Sequence, residues 1–295
     1  MSAAWQRWRR VAVLLALAAT VRGEADTVRE TSTPQPHKAA LMVVIAHPDD
    51  EAYFPGLLPY VCRVRQLPVV FIVLTSGEAG IEPRGNRERR EEEQRRACRV
   101  YGLPNEPIFA RFPDGAWQGT LEENWKLWGG ENRAAEWLVE QIRRYRPDVI
   151  VTHALDGESG HANHVGCALS VTKAVAWAAD AAVLPAAANG SGPWGTKKLY
   201  VHRWPIRSLA FRQDVPVDGL GQTCLQIGEA GGREHVSQGY DKQPFSELDE
   251  PGVSRFGLYA TTVGEDSRSG DLFEHVGLSS YRKQESGSVL SGLRR

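Results

Sequence analysis

The chain has 295 residues, and its 35 Lys and Arg residues against 36 Asp and Glu residues leave a formal net charge of −1. A balance this close to zero gives no long-range attraction to nucleic acid or to an anionic membrane surface, so no nucleic-acid partner is expected. With 42% hydrophobic and 24% charged residues, the composition is that of an ordinary globular protein with one large core or two modest ones.

The N-terminal residues 1–23 have the layout of a secretory signal peptide. Three arginines precede an apolar run over residues 11–21, which is too short to span a bilayer comfortably. We therefore expect a secreted or periplasmic protein with no stable membrane span after cleavage; a membrane anchor formed by an uncleaved signal is the alternative. Residues 24–38 are predicted to be a flexible lead-in and residues 281–295 a disordered tail.

The four cysteines are widely spaced and form no C-x-x-C pair. Buried free thiols are expected, although export would permit one disulfide, whose connectivity the sequence does not decide. These residues are Cys62, Cys98, Cys167 and Cys224.

Short β-branched runs alternate with helical patterns along the first two thirds of the chain. The predicted strands are 40–46, 67–75, 106–112, 148–153 and 197–202, and the predicted helices are 50–65, 87–101, 132–145 and 165–182. This alternation predicts an α/β fold, Rossmann-like, with a mainly parallel sheet and helices on both faces. Beyond a core at 39–205, an edge strand at 211–217 and loops over 219–252 are expected, so that a domain at 39–280 ends in a loop-rich part, 206–280, over the site.

The first predicted strand ends at His47, and three carboxylates follow it: Asp49, Asp50 and Glu51. In open α/β sheets, ligands bind at the carboxyl ends of the strands. The acids could simply cap the helix that is predicted to follow. An imidazole beside carboxylates is, however, a metal-ligand combination, and a helix cap needs no histidine.

A second histidine-bearing segment follows the predicted strand at 148–153. His161 and His164 lie three residues apart where a loop becomes a helix, so both side chains project on the same side. Either one alone could be a helix-end histidine. Together with His47 and Asp50, they favour a three-ligand zinc site over coincidence. Four other histidines are expected to be structural, and the first of them is the best candidate among the four to line the pocket: His153, His202, His235 and His275.

Hydrolytic chemistry fits this set of residues. Zinc takes about three protein ligands and keeps an open position for a water, whose pKa it lowers toward neutrality. An unbound carboxylate beside that water can accept its proton, and a donor imidazole can stabilise an oxyanion. The residues available for these roles are His47, Asp50, His164 and the pair Asp49 and His161. Their spacing does not decide which acid binds the metal and which one is the base.

Two motifs, Ala46-His-Pro-Asp-Asp-Glu51 and Gly160-His-Ala-Asn-His164, closely resemble those of the PIG-L / LmbE family of zinc-dependent de-N-acetylases. The resemblance covers roughly residues 41–182. Further matches are Leu74-Thr-Ser-Gly-Glu78, Arg90-Glu-Glu-Glu93 and Phe112-Pro-Asp-Gly115, and Glu234-His-Val-Ser-Gln238 is similar to a later family element.

The resemblance implies a role for each site residue. It implies that Zn2+ is the cofactor, that Asp49 is the general base and that His161 is the oxyanion partner or the acid. The implied zinc ligands are His47, Asp50 and His164. Arg90 resembles the family arginine that contacts the substrate, whereas its neighbours on the charged helix are expected to form a solvated face.

Asp114 matches a family acid near the sugar hydroxyls, and Glu51 is expected to support the metal ligands. The implied function is that of a secreted zinc-dependent hydrolase that removes an N-acetyl group from an amino sugar, such as an N-acetylglucosamine-type glycan or glycoconjugate. The alternatives are a zinc hydrolase of another amide or ester and a non-catalytic carbohydrate-binding protein. The sequence leaves the oligomeric state open.

Overall fold

Short apolar runs form the centre of a seven-stranded sheet in the computed structural model, which describes residues 38–79, 86–184, 191–267 and 270–281. The strands are β1 (Leu41–Ile45), β2 (Val69–Thr75), β3 (Ile108–Phe112), β4 (Val149–Thr152), β5 (Lys198–His202), β6 (Ser208–Arg212), β7 (Pro216–Val217), β8 (Gln222–Thr223) and β9 (Val253–Thr261). The order across the large sheet is β3-β2-β1-β4-β5-β9-β6, and β7 pairs with β8 apart from it.

The sheet is parallel from β3 through β2, β1 and β4 to β5, and β9 is antiparallel to both of its neighbours. The predicted mainly parallel sheet is therefore confirmed. The chain builds outward from β1 to β3 and then crosses to place β4 on the other side of β1. The carboxyl ends of β1 and β4 therefore flank the point where the strand order reverses, which is where open α/β sheets bind their ligands.

Helices cover both faces of the sheet, as predicted. They are α1 (Leu57–Pro59, continued by a π-helical turn at Tyr60–Val64), α2 (Arg87–Tyr101), α3 (Leu121–Leu127), α4 (Arg133–Tyr145), α5 (Gly157–Gly160), α6 (Ala162–Ala179) and α7 (Cys224–Gly232). Successive side chains of β1 point to opposite faces. Val43 and Ile45 pack in the cluster that contains α1 and α2, whereas Met42 and Val44 pack in the one that contains α4 and α6.

The continuous helix predicted over 50–65 is wrong. The segment begins with a single 3-10 turn, Asp50–Tyr53, and helical structure resumes at Leu57 after Pro55 and Gly56. Asp49 has a φ of 106° and makes no side-chain capping hydrogen bond. The acids after His47 therefore do not cap a helix, and their carboxylates are available for other contacts.

The C-terminal part holds more regular structure than predicted. The strand expected at 211–217 is divided between β6 and β7, and the loops expected over 219–252 contain α7. The glycines of α7 suggested a loop, but they serve close packing. A Cβ on Gly231 would lie 2.1 Å from the ring of Tyr101, and one on Gly228 would lie 2.3 Å from the carbonyl oxygen of Pro55.

A buried arginine closes the end of α6. The guanidinium of Arg143 donates hydrogen bonds to five carbonyl groups at and after that helix end. They belong to Trp177, Ala178, Asp180, Val183 and Leu184. This contact fixes α4 against α6, whose first turn carries the site histidines.

The predicted signal peptide, nearly all of the predicted lead-in (24–37) and most of the predicted tail (282–295) lie outside the described residues. Tyr281, the first residue of that tail, is anchored: its hydroxyl donates to the carbonyl oxygen of Ala39 and lies 2.7 Å from a carboxylate oxygen of Asp148. All four cysteines are free thiols, as expected. Among the described residues, no helix is both long enough and apolar enough to cross a membrane.

Candidate active site

The two histidine-bearing segments meet at the carboxyl edge of the sheet. His47 follows the end of β1. Thr75, at the end of β2, donates from its backbone N–H and its hydroxyl to the carbonyl oxygen of Ala46, which fixes the residue directly before His47. His161 is the N-cap residue of α6, and its Nδ1 accepts a hydrogen bond from the N–H of Asn163 at 3.1 Å. His164 follows in the first turn of α6, and its Nε2 faces His47.

Three predicted ligands converge on one point. Nδ1 of His47 lies 3.1 Å from Nε2 of His164 and 3.3 Å from Oδ2 of Asp50, and Nε2 of His164 lies 3.1 Å from Oδ1 of Asp50. Ligand atoms that share a tetrahedral zinc ion are about 3.3 Å apart, given bonds of roughly 2.0 to 2.2 Å. All three side chains are buried. The donor set therefore fits a metal ion of this size.

Two other combinations bring candidate ligand atoms within 4.8 Å of one another, one through His161 and one through His153. The backbone N–H of Ala46 donates to Nε2 of His153 at 3.0 Å, which occupies the lone pair that a metal would need. His153 is fully buried behind Asp50, at 3.2 Å from its Oδ2, and does not line the cleft. The expectation that it borders the pocket is wrong.

The electrostatics of the three converging residues favour positive charge. Burial by itself lowers the pKa of His47, but the carboxylates of Asp114 and Asp50 raise it to about 9. For His164 the carboxylate of Asp50 likewise outweighs burial and raises the pKa to about 8. Burial raises the pKa of Asp50, but the two imidazoles hold it well below its usual value. The carboxylates that raise the pKa values of the two imidazoles would also attract a cation bound between them.

Asp49 lies at the side of this cluster with its carboxylate 15% exposed. Nη2 of Arg90 lies 3.1 Å from its Oδ1, and its backbone N–H donates to Oε1 of Gln94 at 3.1 Å. Burial raises the pKa of Asp49 to about 6, although Arg90 opposes the shift. Arg90 also donates to the carbonyl oxygens of Gly77 and Pro48. Its guanidinium therefore binds mainly to protein groups, although the residue borders the cleft where a substrate contact is predicted.

His161 also borders the cleft. Burial, with the neighbouring imidazoles of His47 and His164, lowers its pKa to about 3, so the ring is neutral at physiological pH. Because Nδ1 accepts from the backbone of Asn163, the ring proton resides on Nε2. A neutral donor imidazole is the form that can stabilise an oxyanion.

Asp114 directly contacts a predicted metal ligand. Its Oδ1 lies 3.0 Å from Nε2 of His47 and accepts from the side-chain amide of Asn163, while Oδ2 accepts from the backbone N–H of Ala79. Both oxygens are therefore engaged by the protein. The sequence analysis missed Asn163, although the residue lies inside the second motif, and missed this orienting contact of Asp114. A role of Asp114 in substrate binding stays a prediction.

Glu51 supports the proposed base and has no direct contact with the ligands. Its Oε1 accepts from Nε2 of Gln94 at 2.7 Å and from the hydroxyl of Tyr101 at 2.9 Å, and Nε2 of His235 lies 3.1 Å away. Gln94 in turn holds the backbone N–H of Asp49. The similarity of residues 234–238 to a family element thus corresponds to a packing contact behind Asp49.

A cleft of about 520 Å³ opens over these side chains. Loop residues from the C-terminal part form one wall, as predicted for a loop-rich region over the site: Gln238, Tyr240, Gln243 and Glu247. Trp117 stands on the other side with 64% of its surface exposed, and its ring lies edge-on to His161 with the centroids 4.7 Å apart. The cleft therefore has an aromatic rim and a polar wall around the ligand cluster.

The carboxyl edge of this α/β sheet brings together two imidazoles and a carboxylate that could hold a metal ion, with a second carboxylate and a neutral imidazole beside them. The family model described as "PIG-L: GlcNAc-PI de-N-acetylase" matches residues 42–175. This match confirms the resemblance to the PIG-L / LmbE family that the two motifs indicate.

Relatives of known name are deacetylases. A 1D-myo-inositol 2-acetamido-2-deoxy-alpha-D-glucopyranoside deacetylase of Streptomyces scabiei (strain 87.22) is 27% identical over 85% of this chain and 94% of its own. Enzymes of the same name from Thermobifida fusca (strain YX) and Mycobacterium leprae (strain Br4923) are 30% and 32% identical, over 57% and 58% of this chain. The alignments span 63% and 60% of those two relatives.

Solved structures share the fold at low identity. A conserved protein of Thermus thermophilus has a TM-score of 0.55 at 18% identity, covering 78% of this chain and 99% of its own. The N,N'-diacetylchitobiose deacetylase of Pyrococcus horikoshii has 0.53 at 16%, over 68% and 71%. A 4-carboxy-2-hydroxymuconate hydratase of Pseudomonas putida has 0.51 at 17%, over 78% and 100%. A hydratase among them illustrates that the fold alone does not specify deacetylation.

Proposed function

We propose that this protein is a zinc-dependent hydrolase that removes the N-acetyl group from an amino sugar, of the N-acetylglucosamine type, in a glycan or glycoconjugate. The observation that carries the proposal is the convergence of His47, Asp50 and His164 within 3.1 to 3.3 Å, with Asp49 beside them. The names of the relatives, which act on a 2-acetamido-2-deoxyglucoside, support the choice of substrate class.

Zinc, when bound by His47, Asp50 and His164, supplies Lewis-acid polarisation of the acetyl carbonyl and of the attacking water. Asp49, which is held by Arg90 and Gln94 and does not belong to the ligand set, accepts the proton of that water. His161 donates a hydrogen bond from Nε2 to the developing oxyanion, and Asp49 passes the proton that it took from the water to the leaving amine. Acetate and a free amino sugar are the products.

The proposal is tested by release of amine from N-acetylglucosamine derivatives with and without a chelator. Asp49→Ala is expected to keep zinc but lose turnover by roughly 10²- to 10⁴-fold, because general-base catalysis contributes about that much. His164→Ala is expected to lose both zinc and turnover. Full zinc content in purified His164→Ala, or chelator-resistant amine release by the wild type, would contradict the assignment.

We also propose that the protein is exported, on the basis of the charged and apolar pattern of residues 1–23. Fractionation of the producing cells, followed by sequencing of the N-terminus of the purified protein, tests this proposal. A mature N-terminus near residue 24 outside the cytoplasm is expected. An intact N-terminus in the membrane fraction would favour the uncleaved anchor instead.

A further inference from the structure

Glu158 occupies an unusual backbone conformation between β4 and α6. Its φ of 57° and ψ of −58° lie in a region that side-chain-bearing residues rarely adopt. The backbone N–H of Glu158 donates to Oδ1 of Asp156, which helps to hold the turn. Strain of this kind persists only where the surroundings enforce it, and it is common where a side chain must be aimed precisely. The conformation directs the carboxylate inward, where it is only 1% exposed.

The carboxylate of Glu158 lies among imidazoles. Oε1 accepts from the backbone N–H of Ala154 at 2.8 Å and lies 2.9 Å from Nδ1 of His202. Oε2 lies 3.0 Å from Nδ1 of His153. Three contacts from two strand ends therefore fix both oxygens in place. A buried carboxylate with this many partners is held rigidly in one orientation.

Oε2 of Glu158 also faces the back of a metal ligand. Nδ1 of His164 is buried 3.4 Å from it, but the contact does not reach hydrogen-bond geometry, and this nitrogen has no hydrogen-bond partner among the described residues. Nε2 of the same ring faces Asp50 and His47, so a metal bound there would leave the ring proton on Nδ1, the ring nitrogen that lies nearer to Glu158. Asp114 has the same relation to His47, through Nε2 of that ring.

A second path leads from Glu158 to the acidic ligand. His153, which Glu158 contacts through Nδ1, packs with Nε2 3.2 Å from Oδ2 of Asp50; because Nε2 accepts from the backbone N–H of Ala46, this is a packing contact and not a hydrogen bond. One carboxylate thus borders one ligand directly and a second ligand through an imidazole. Neither the family motifs nor the spacing of the histidines draws attention to Glu158.

We propose that Glu158 is a positioning residue of the metal site, which fixes the tautomer and orientation of His164 and, through His153, the position of Asp50. The inference rests on the proposed function only in requiring that these residues bind a divalent metal. A carboxylate behind a ligand imidazole orients it and raises its basicity, and losing such a partner typically weakens metal binding by about 10- to 100-fold.

The test is the zinc affinity of the full-length protein, measured by competition with a chromophoric chelator. Glu158→Gln, which keeps the shape and removes the charge, is expected to weaken zinc binding by about 10- to 100-fold and to shift the absorption bands of the cobalt-loaded protein. Asp148→Asn is the matched control, because Asp148 is an equally buried carboxylate at the opposite end of β4. Its zinc affinity should equal that of the wild type.

Glu158→Asp keeps the charge but draws the carboxylate back from His164, and an intermediate affinity is expected. This variant carries the test if the glutamine variant does not fold. A zinc affinity within about twofold of wild type in either folded variant, with only a lower melting temperature of the metal-free protein, would overturn the proposal and leave Glu158 a purely structural residue. A wild type that binds zinc but releases no amine would overturn the proposed function and leave this inference standing.

Discussion

At the scale of single residues, Trp117 is an exposed aromatic side chain that borders the cleft. Its indole is 64% exposed at the rim of the cleft, edge-on to His161. The apolar face of a sugar ring can stack on such a surface, and aromatic contacts contribute about 0.5 to 1.5 kcal/mol. Trp117→Ala is therefore expected to raise KM by roughly 2- to 10-fold with kcat nearly unchanged, as measured by steady-state amine release.

Two further variants make this prediction specific. Trp117→Phe keeps an aromatic face and should retain most of the affinity. Leu220→Ala, at an apolar residue that is 49% exposed away from the cleft, should change neither constant. A fall in kcat with KM unchanged in Trp117→Ala would show that the indole positions His161 and does not bind the sugar.

The predicted metal ligands, the base and the oxyanion partner all lie in the two motifs, because a short motif marks the residues that follow a strand end by sequence alone. His47, Asp50 and His164 converge for that reason. Their orienting partners could not be predicted in the same way. Gln94 reaches Asp49 from a helix 45 positions away, and Glu158 reaches His164 only because of a strained turn. Such contacts depend on side-chain direction, which periodicity does not encode.

At the scale of elements, α2 is more than a solvated helix. Four polar residues of its charged run are buried, among them Arg90 and Gln94, which hold Asp49. Glu91 on the same helix ties it to the edge strand β3, because Arg111 donates two hydrogen bonds to its carboxylate and Ser76 donates another. The prediction of a solvated face therefore holds only for the outward side.

The carboxylate of Glu91 makes the free energy of unfolding depend on pH. Burial raises its pKa, but the hydrogen bonds from Arg111, Ser76 and Arg95 lower it to about 2. A folded-state pKa below the unfolded value near 4.5 contributes stability that is fully present above about pH 4.5 and is lost as the pH falls toward 2. Glu91→Gln is thus expected to destabilise the protein near neutral pH and to reduce the loss of stability in acid.

Urea unfolding at about pH 6 and about pH 3 measures the effect. The difference in unfolding free energy between wild type and Glu91→Gln should be larger at the higher pH. Glu92→Gln is the control on the same helix, because the carboxylate of Glu92 is 46% exposed and pairs with Arg99 in solvent. An equal difference at both pH values would remove Glu91 as the source of the dependence.

Strands and helices were predicted correctly where a short stretch of sequence carries the hydrophobic pattern of the element. Four apolar runs gave β1, β2, β4 and β5, and α4 follows from the spacing of its buried residues. β9 was missed because Gly257 interrupts it; a Cβ there would lie 2.2 Å from the carbonyl oxygen of Trp204, so tertiary packing requires the glycine. The antiparallel edge of the sheet depends on such long-range contacts, and the sequence alone did not indicate it.

At the scale of the whole molecule, the strand order creates the site. β1 and β4 are neighbours in the sheet although His47 and His164 are 117 positions apart. A metal bound between them would cross-link two segments that are close only in the folded state. Its binding energy would then stabilise the fold as a unit, since the unfolded chain holds no preformed site.

Zinc is accordingly expected to raise the melting temperature. Free metal at about one hundred times Kd stabilises the folded state by about 2.7 kcal/mol. A domain of this size gains roughly 2 to 4 °C for each kcal/mol, so the expected rise is roughly 5 to 10 °C, reversed by a chelator. Calorimetry of the apo protein with added zinc measures it.

Two variants at the same site separate ligation from catalysis. Asp49→Ala should show the full rise in melting temperature, because Asp49 is not in the ligand set, whereas His164→Ala should show none. A zinc-dependent rise in His164→Ala as large as in wild type would place the metal elsewhere in the protein. Loss of the rise in Asp49→Ala would instead show that Asp49 is a metal ligand. The proton acceptor would then be another carboxylate of the cleft, and Glu247, which lies outside the ligand cluster, is the candidate.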